Sequence, residues 1–305
     1  MENFTTNKNV MSKIAKIDSK GLLNVNAPIY DAIRKEKSWK LLKNDQDVYI
    51  EIRKGNIIDA YYQGGRIVEF RYDKSEKRIK RATHPKYLGH NCEENEYYTK
   101  RVDGTYSPKY LECDLNESTI KDIKERIAKY YTKDDSSEEN TSEKKRQGEL
   151  IVSNRKEYID SEFAYRMYED GRNTIRFDLV KIQGDEIIVE ELKMIRDSRL
   201  NSTTKPEVIT QLGNYKKFIE ENKDELLEYF KKLYKIKRSL SLLKEPMEDI
   251  ELDKLKLRES PRLIIALDDD YRQIKEGNVP KGMNRKTERL KNIEMNLEGI
   301  DYILI

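Results

Sequence analysis

Residues 132–145 (TKDDSSEENTSEKK) hold no apolar side chain, and this stretch constrains the chain's organisation more than any other. A segment that can bury nothing cannot offset the entropy lost on ordering it, so it reads as an interdomain linker. It separates 21–131 from 146–305, each long enough to bury a core of its own. Residues 1–20 are polar and read as a flexible arm.

The first half begins with helical periodicity over 27–43, where Ile29, Ile33, Trp39 and Leu42 share a face. The period then changes to two. Strands are expected over 47–53, 57–63, 66–72 and 78–83, with hairpin turns at 54–56 and 64–65, giving an antiparallel β-meander. A helix over 118–131 follows, capped by Ser118, with a stripe of Ile120, Ile123 and Ile127. Beyond the linker come a short helix at 146–154, β-formers at 157–168, strands at 174–182 and 186–194, and a long helical region over 205–234. Another helical stretch is next, then a buried apolar strand over 262–267 and a last strand at 300–305. The expected class is α/β in the α+β sense, with helices covering a mixed sheet in the second half and an α+β domain in the first.

Composition narrows the chemistry. No apolar run approaches the roughly 20 residues that span a bilayer, and the first residues lack a signal peptide's apolar region, so a cytoplasmic location and no membrane partner are expected. Two cysteines, Cys92 and Cys113, are too few for a disulfide framework or a four-cysteine metal site. With only His84 and His90 besides, any metal must rest on oxygen ligands, which suits Mg²⁺, Mn²⁺ or Ca²⁺. Net charge is +3, so any case for nucleic acid rests on local patches.

The hairpin 174–194 carries the chemistry. A turn centred on Gly184 sets Asp178 opposite Glu190 or Glu191, and Glu191 and Lys193 share a strand face. The charges follow apolar runs (Ile175, Phe177, Leu179; Ile187, Ile188, Val189), where they are costly unless they pair or bind metal. Phosphodiester hydrolysis needs a hard cation to neutralise phosphate charge and to activate water. Asp178, Glu191 and the Leu192 carbonyl would hold Mg²⁺, with Mn²⁺ able to substitute, and Lys193 would orient the water and stabilise developing charge.

Asp178, a spacer and Glu191-Leu192-Lys193 resemble the Asp…Glu-x-Lys signature of PD-(D/E)XK nucleases. The run 211–215 (QLGNY) resembles the Gln-x-x-x-Tyr motif of the RecB-like branch, with Gln211 and Tyr215 on one helix face. The likeness covers 146–267 and implies a restriction-endonuclease-like αβββαβ core. Phe177 stands where the family often has proline. A further upstream acid is implied: Glu149 first, then Glu162 and Asp160. The expected function is Mg²⁺-dependent DNA endonuclease, by analogy in restriction or anti-phage defence, with a homodimer as one way to cut both strands. An RNA-directed nuclease and an inert nucleic-acid-binding or regulatory protein are the alternatives.

The meander interleaves Tyr49, Tyr61, Tyr62, Phe70 and Tyr72 with Arg53, Arg66 and Arg71. Exposed, such a surface would stack on bases and neutralise phosphates. Half-buried, it would be an ordinary core, and a sensor or partner-binding domain is the third reading. Asp268, Asp269 and Asp270 read as a solvated strand-end turn, and 281–291 as an exposed basic helix.

Overall fold

The computed structural model describes residues 13–89, 98–100, 106–108, 111–131, 142–171, 173–201, 206–279 and 282–305. Most of the expected linker, most of the arm, and His90 and Cys92 lie outside them. In chain order the elements are α1 (Ser19–Leu22), α2 (Pro28–Ile33), α3 (Lys37–Asn44), β1 (Val48–Arg53), β2 (Ile57–Tyr62), β3 (Gly65–Asp73), β4 (Arg78–Thr83), α4 (Pro85–Leu88), β5 (Tyr98–Lys100), β6 (Tyr106–Pro108), β7 (Leu111–Glu112) and α5 (Glu117–Tyr131). The second half adds α6 (Glu143–Ser153), β8 (Tyr158–Arg166), β9 (Thr174–Gln183), β10 (Glu186–Met194), α7 (Glu207–Glu221), α8 (Lys223–Ser239), β11 (Lys256–Leu257), β12 (Arg262–Ala266), α9 (Asp269–Lys275), α10 (Asn284–Asn296) and β13 (Tyr302–Leu304). The fold is mixed α/β, with one antiparallel and one mixed sheet beside a short β5–β6 ribbon.

The antiparallel sheet has the order β1-β2-β3-β4-β7. Its β2–β3 turn is Gln63-Gly64, both at positive φ (47° and 80°), because a two-residue hairpin loop twists with its strands only in that conformation. Gly65 already belongs to β3, one residue from the expected turn. Alternation along β1 sends Val48, Ile50 and Ile52 into the apolar cluster with Trp39, Phe70 and Ile123. Tyr49, Glu51 and Arg53 take the other face, toward β8. The α5 cap is Asn116 and not Ser118: its side chain accepts the Thr119 N–H at 3.0 Å.

The mixed sheet has the order β13-β12-β10-β9-β8, with β11 also on β10. The hairpin β9–β10 is antiparallel, whereas β12 runs parallel to both β10 and β13. Four expectations shift here. The helical region 205–234 is two helices that break at Asn222. That buried side chain accepts the Ile17 N–H (2.9 Å) and donates to the Ala15 carbonyl (3.1 Å). Residues 13–17 are therefore no free arm: Ala15 and Ile17 are buried, and Ile14 bridges to Tyr168. Asp268 is not solvated; it caps α9 and pairs with Arg196 at 2.7 Å. The stretch after α8 forms short 3₁₀ turns, not the further helix expected before β12. Buried apolar side chains from both halves form one continuous cluster, from Trp39 and Phe70 to Phe163, Phe177 and Phe230. Among the described residues no helix is long and apolar enough to cross a membrane.

Candidate active site

The register of the β9–β10 hairpin decides which acid faces Asp178. Gln183 pairs with Glu186 across a two-residue loop, and Leu179 pairs with Glu190. One further step sets Asp178 beside Glu191. Glu190 points to the opposite face, where the Tyr158 hydroxyl donates to it at 3.1 Å and Arg262 lies 3.4 Å away.

Asp178, Glu191 and Lys193 converge as the sequence predicts. The Lys193 ammonium contacts Glu191 Oε1, donates to the Leu192 carbonyl at 3.0 Å, and lies 4.0 Å from Asp178 Oδ2. The Leu192 N–H donates to Asp178 Oδ2 at 3.0 Å. Glu191 and Lys193 side chains are each 1% exposed, and Asp178 is 15% exposed. Charges this deeply placed persist only because each has a partner. Helix α7 supplies the rest of the cradle. Gln211 donates to Glu191 Oε1 at 2.7 Å and to the Tyr215 hydroxyl at 3.0 Å. That hydroxyl meets Glu191 Oε2 at 2.6 Å and also contacts the Arg176 carbonyl. The Tyr215 ring stands edge-on to Phe177 at 5.1 Å, which fixes its direction.

These groups open on a cleft of about 550 Å³. Two further acids line it. Glu162, on β8, is turned inward by a left-handed backbone (φ 57°). It pairs with Lys144 and, at 2.9 Å, with Arg176. Glu143, in the first turn of α6, lies 3.9 Å from Arg199 and feels both Lys193 and Asp178. The sequence reading missed Glu143 because it assigned 132–145 to the linker. Ser142 was the available signal: it caps α6, accepting the Lys145 N–H at 3.2 Å. Gln147, one turn on, donates to the Asp178 carbonyl at 2.5 Å. Glu149 does not line the cleft; it pairs with Arg146 (3.4 Å) and Lys145 (3.9 Å) on another face of α6. Asp160 also turns away, toward Arg53.

Burial raises the Glu191 carboxyl to about 7; the Asp178 charge adds to this, and Lys193 offsets it only in part. Burial likewise raises Asp178 and Glu143. At Glu162 burial acts upward too, but the Lys144 charge and hydrogen bonds from Lys144, Arg176 and Gln147 outweigh it and hold the carboxyl low. Asp178 and Glu191 thus share one ammonium, which leaves a local deficit of positive charge. A hard divalent cation would fill that deficit, and the donors at hand, two carboxylates and the Leu192 carbonyl, are all oxygen. No group of three or more His, Cys, Asp or Glu stands at metal-holding spacing among the described residues. The carboxylate oxygens are engaged by Lys193, Gln211, Tyr215 and the Leu192 N–H instead. Comparison with protein-family models, with curated proteins and with solved structures finds no match to this chain.

Proposed function

We propose that the chain is a divalent-metal-dependent nuclease that hydrolyses DNA phosphodiester bonds in this cleft, on the PD-(D/E)XK plan. One observation carries the reading: Asp178, Glu191 and Lys193 meet on adjacent strands, buried, with Gln211 and Tyr215 fixing Glu191 from the following helix. The order α6-β8-β9-β10-α7-β12, with α8 and β11 inserted before β12, supports the same plan.

Asp178, Glu191 and the Leu192 carbonyl would hold Mg²⁺ or Mn²⁺, with Glu143 and Glu162 adding negative charge at the rim. Such a cation supplies charge neutralisation at the scissile phosphate and a lowered pKa for the attacking water. Lys193 Nζ orients that water and stabilises negative charge as it grows on the phosphate. Gln211 and Tyr215 hold the Glu191 carboxylate in one rotamer, so little reorganisation accompanies reaction. Lys144, Arg176 and Arg199 at the cleft wall attract the polyanionic substrate.

The test is cleavage of plasmid, linear and single-stranded DNA, and of single-stranded RNA, with Mg²⁺ or Mn²⁺. Asp178→Ala and Lys193→Ala should each lower the rate by about 10²-fold or more with folding intact. Metal-dependent activity surviving both changes would sink the assignment. RNA cleavage without DNA cleavage would replace the substrate.

A further inference from the structure

A second cleft, of about 230 Å³, lies in the seam between the two sheets. Cations reach it from four separate segments. Lys43 comes from α3, Arg155 from the loop after α6, Lys237 from α8, and Lys244 from the loop beyond α8. One acid lines the same space, Glu51. It is already committed, to Lys237 at 2.7 Å and to the Ser161 hydroxyl at 3.0 Å. Among the described residues the other three cations have no acid of their own there. Arg155 contacts the Gln46 carbonyl; Asp45 and Asp47 act on it only through space, and both are engaged by Lys124. Lys43 is pressed by burial and by the charges of Lys244 and Arg34, which lower its affinity for a proton.

Lys43 and Arg155 are half-buried, and Lys43 is repelled by the exposed Lys244 at the rim; partly desolvated cations of this kind are costly without an anion between them. We propose that this seam binds a phosphate-bearing anion, with Arg155, Lys43 and Lys244 as its ligands. The planar Arg155 guanidinium suits two phosphate oxygens, and the two ammonium groups act as point charges. The volume fits a phosphate or pyrophosphate group and not a whole nucleotide, so a larger ligand would leave its remainder outside. That phosphate chemistry has two sources, a free phosphate ester or the backbone of a nucleic acid strand. Two elements run from the site to the acid cleft, β8 (Tyr158 to Glu162) and α6. Helix α6 presents Glu143 and Lys144 to the acid cleft at its start, and Ile151 to the seam near its end. Its 11 residues span about 16 Å, so an anion on Arg155 sits one short helix from the acids.

The experiment is calorimetric titration of the full chain with inorganic pyrophosphate in metal-free buffer, beside anisotropy titration of a labelled single-stranded oligonucleotide. Arg155→Gln should weaken pyrophosphate binding by about tenfold or more, the loss expected for one charge-assisted contact. Lys43→Gln, which removes no hydrogen bond of the fold, should weaken it several-fold and covers the case in which Arg155→Gln unfolds. Lys13→Gln, an exposed cation that lines neither cleft, should leave it unchanged. Equal losses for the oligonucleotide, with no binding of pyrophosphate, would support the same phosphate contacts and identify a backbone as their source. No binding of either anion, or binding indifferent to Arg155→Gln and Lys43→Gln, overturns the proposal. Loss in Arg176→Gln alone moves the anion to the acid cleft and overturns it as well. None of these readouts depends on cleavage, so failure of the nuclease reading leaves the proposal standing or falling by itself.

Discussion

Arg53→Met tests whether the two halves are one folding unit. Arg53 leaves β1 and reaches across the seam. Its guanidinium contacts the Ser161 carbonyl, lies 3.3 Å from Asp160 Oδ1 and 3.8 Å from Asp59, and covers the Tyr61 ring at 5.4 Å. The Asp160 side chain is 0% exposed. Removing one partner of a buried pair costs about 3–5 kcal/mol. Asp160 would retain its own Ser161 N–H at 2.9 Å and the Tyr229 hydroxyl at 3.4 Å, and methionine keeps much of the bulk, so the low end, about 3 kcal/mol, is expected. The double variant Arg53→Met/Asp160→Asn leaves no buried charge orphaned and should recover about 2 kcal/mol of that loss. Urea unfolding read at once by Trp39 fluorescence and far-ultraviolet circular dichroism is the assay. Trp39 is the sole tryptophan and lies in the first half, so coincident curves mean that both halves melt together. The pH adds a signed check. Burial, with the Glu51 charge, pushes the Asp160 carboxyl up to about 7, above its unfolded value near 4. The folded state therefore holds the proton over that window, and stability falls as pH rises through it. Without Arg53 the folded value climbs further, so the deficit of Arg53→Met should be larger at pH 8 than at pH 5. A deficit under about 1 kcal/mol, or one that the double variant does not recover, would refute a desolvated seam.

Three other outcomes are expected. Glu143→Gln should slow cleavage by about tenfold while Glu149→Gln leaves it unchanged, because only the first lines the cleft; equal effects in plasmid cleavage would argue against the placement of α6. Tyr215→Phe removes a hydrogen bond that helps hold the Glu191 carboxyl down at about 7, so the rising limb of the pH–rate profile should move to higher pH; an unmoved profile would separate Tyr215 from the chemistry. Gly148→Ala would bring a Cβ to 2.7 Å from the Gly64 nitrogen, so it should cost about 1–3 kcal/mol in calorimetric unfolding, and an unchanged melting temperature would rule out that contact.

What could be read from the sequence follows which interactions are local. Period-two alternation placed β1 to β4 and the β9–β10 hairpin to within a residue or two, because a turn such as Gln63-Gly64 and the strands beside it are set by neighbours in the chain. The Asp178, Glu191 and Lys193 set was legible for the same reason: the hairpin alone brings them together. Glu143 was not, since its distance from Asp178 depends on how α6 docks, through Gly148 on Gly64. The meander's pattern was ambiguous in the same way. Alternation sends every second side chain of β1 away from one core without saying whether water or protein lies beyond. Here it is protein: Tyr49 stacks on Tyr61 at 5.2 Å, and Glu51, Asp59 and Glu69 form a buried cross-strand row answered by Lys237, Arg53, Arg66 and Arg71. Of the readings open for these residues, the half-buried core describes most of them, and the face that would stack on bases if exposed is mostly turned inward.

Strand β8 joins that seam to the acid cleft within three residues. Asp160 and Ser161 are held by Arg53 and Glu51, while Glu162 turns to the opposite side beside Asp178. The β8–β9 ladder pairs Ser161 with Leu179 and Phe163 with Phe177 but skips the step between them, where Glu162 sits at φ 57°. A glutamate held there costs about 1–2 kcal/mol, and both its neighbours are anchored, so it cannot relax. Glu162→Gly and Glu162→Gln separate this strain from the charge. Both remove the carboxylate from Lys144 and Arg176, whose side chains are 44% and 57% exposed and so lose little on being unpaired. Glycine alone also relieves the backbone. In urea unfolding Glu162→Gly should then be more stable than Glu162→Gln by about 1 kcal/mol, while cleavage falls in both. Were Glu162→Gln as stable as Glu162→Gly, the left-handed backbone would carry no strain, and the seam would not be what holds this carboxylate in the cleft.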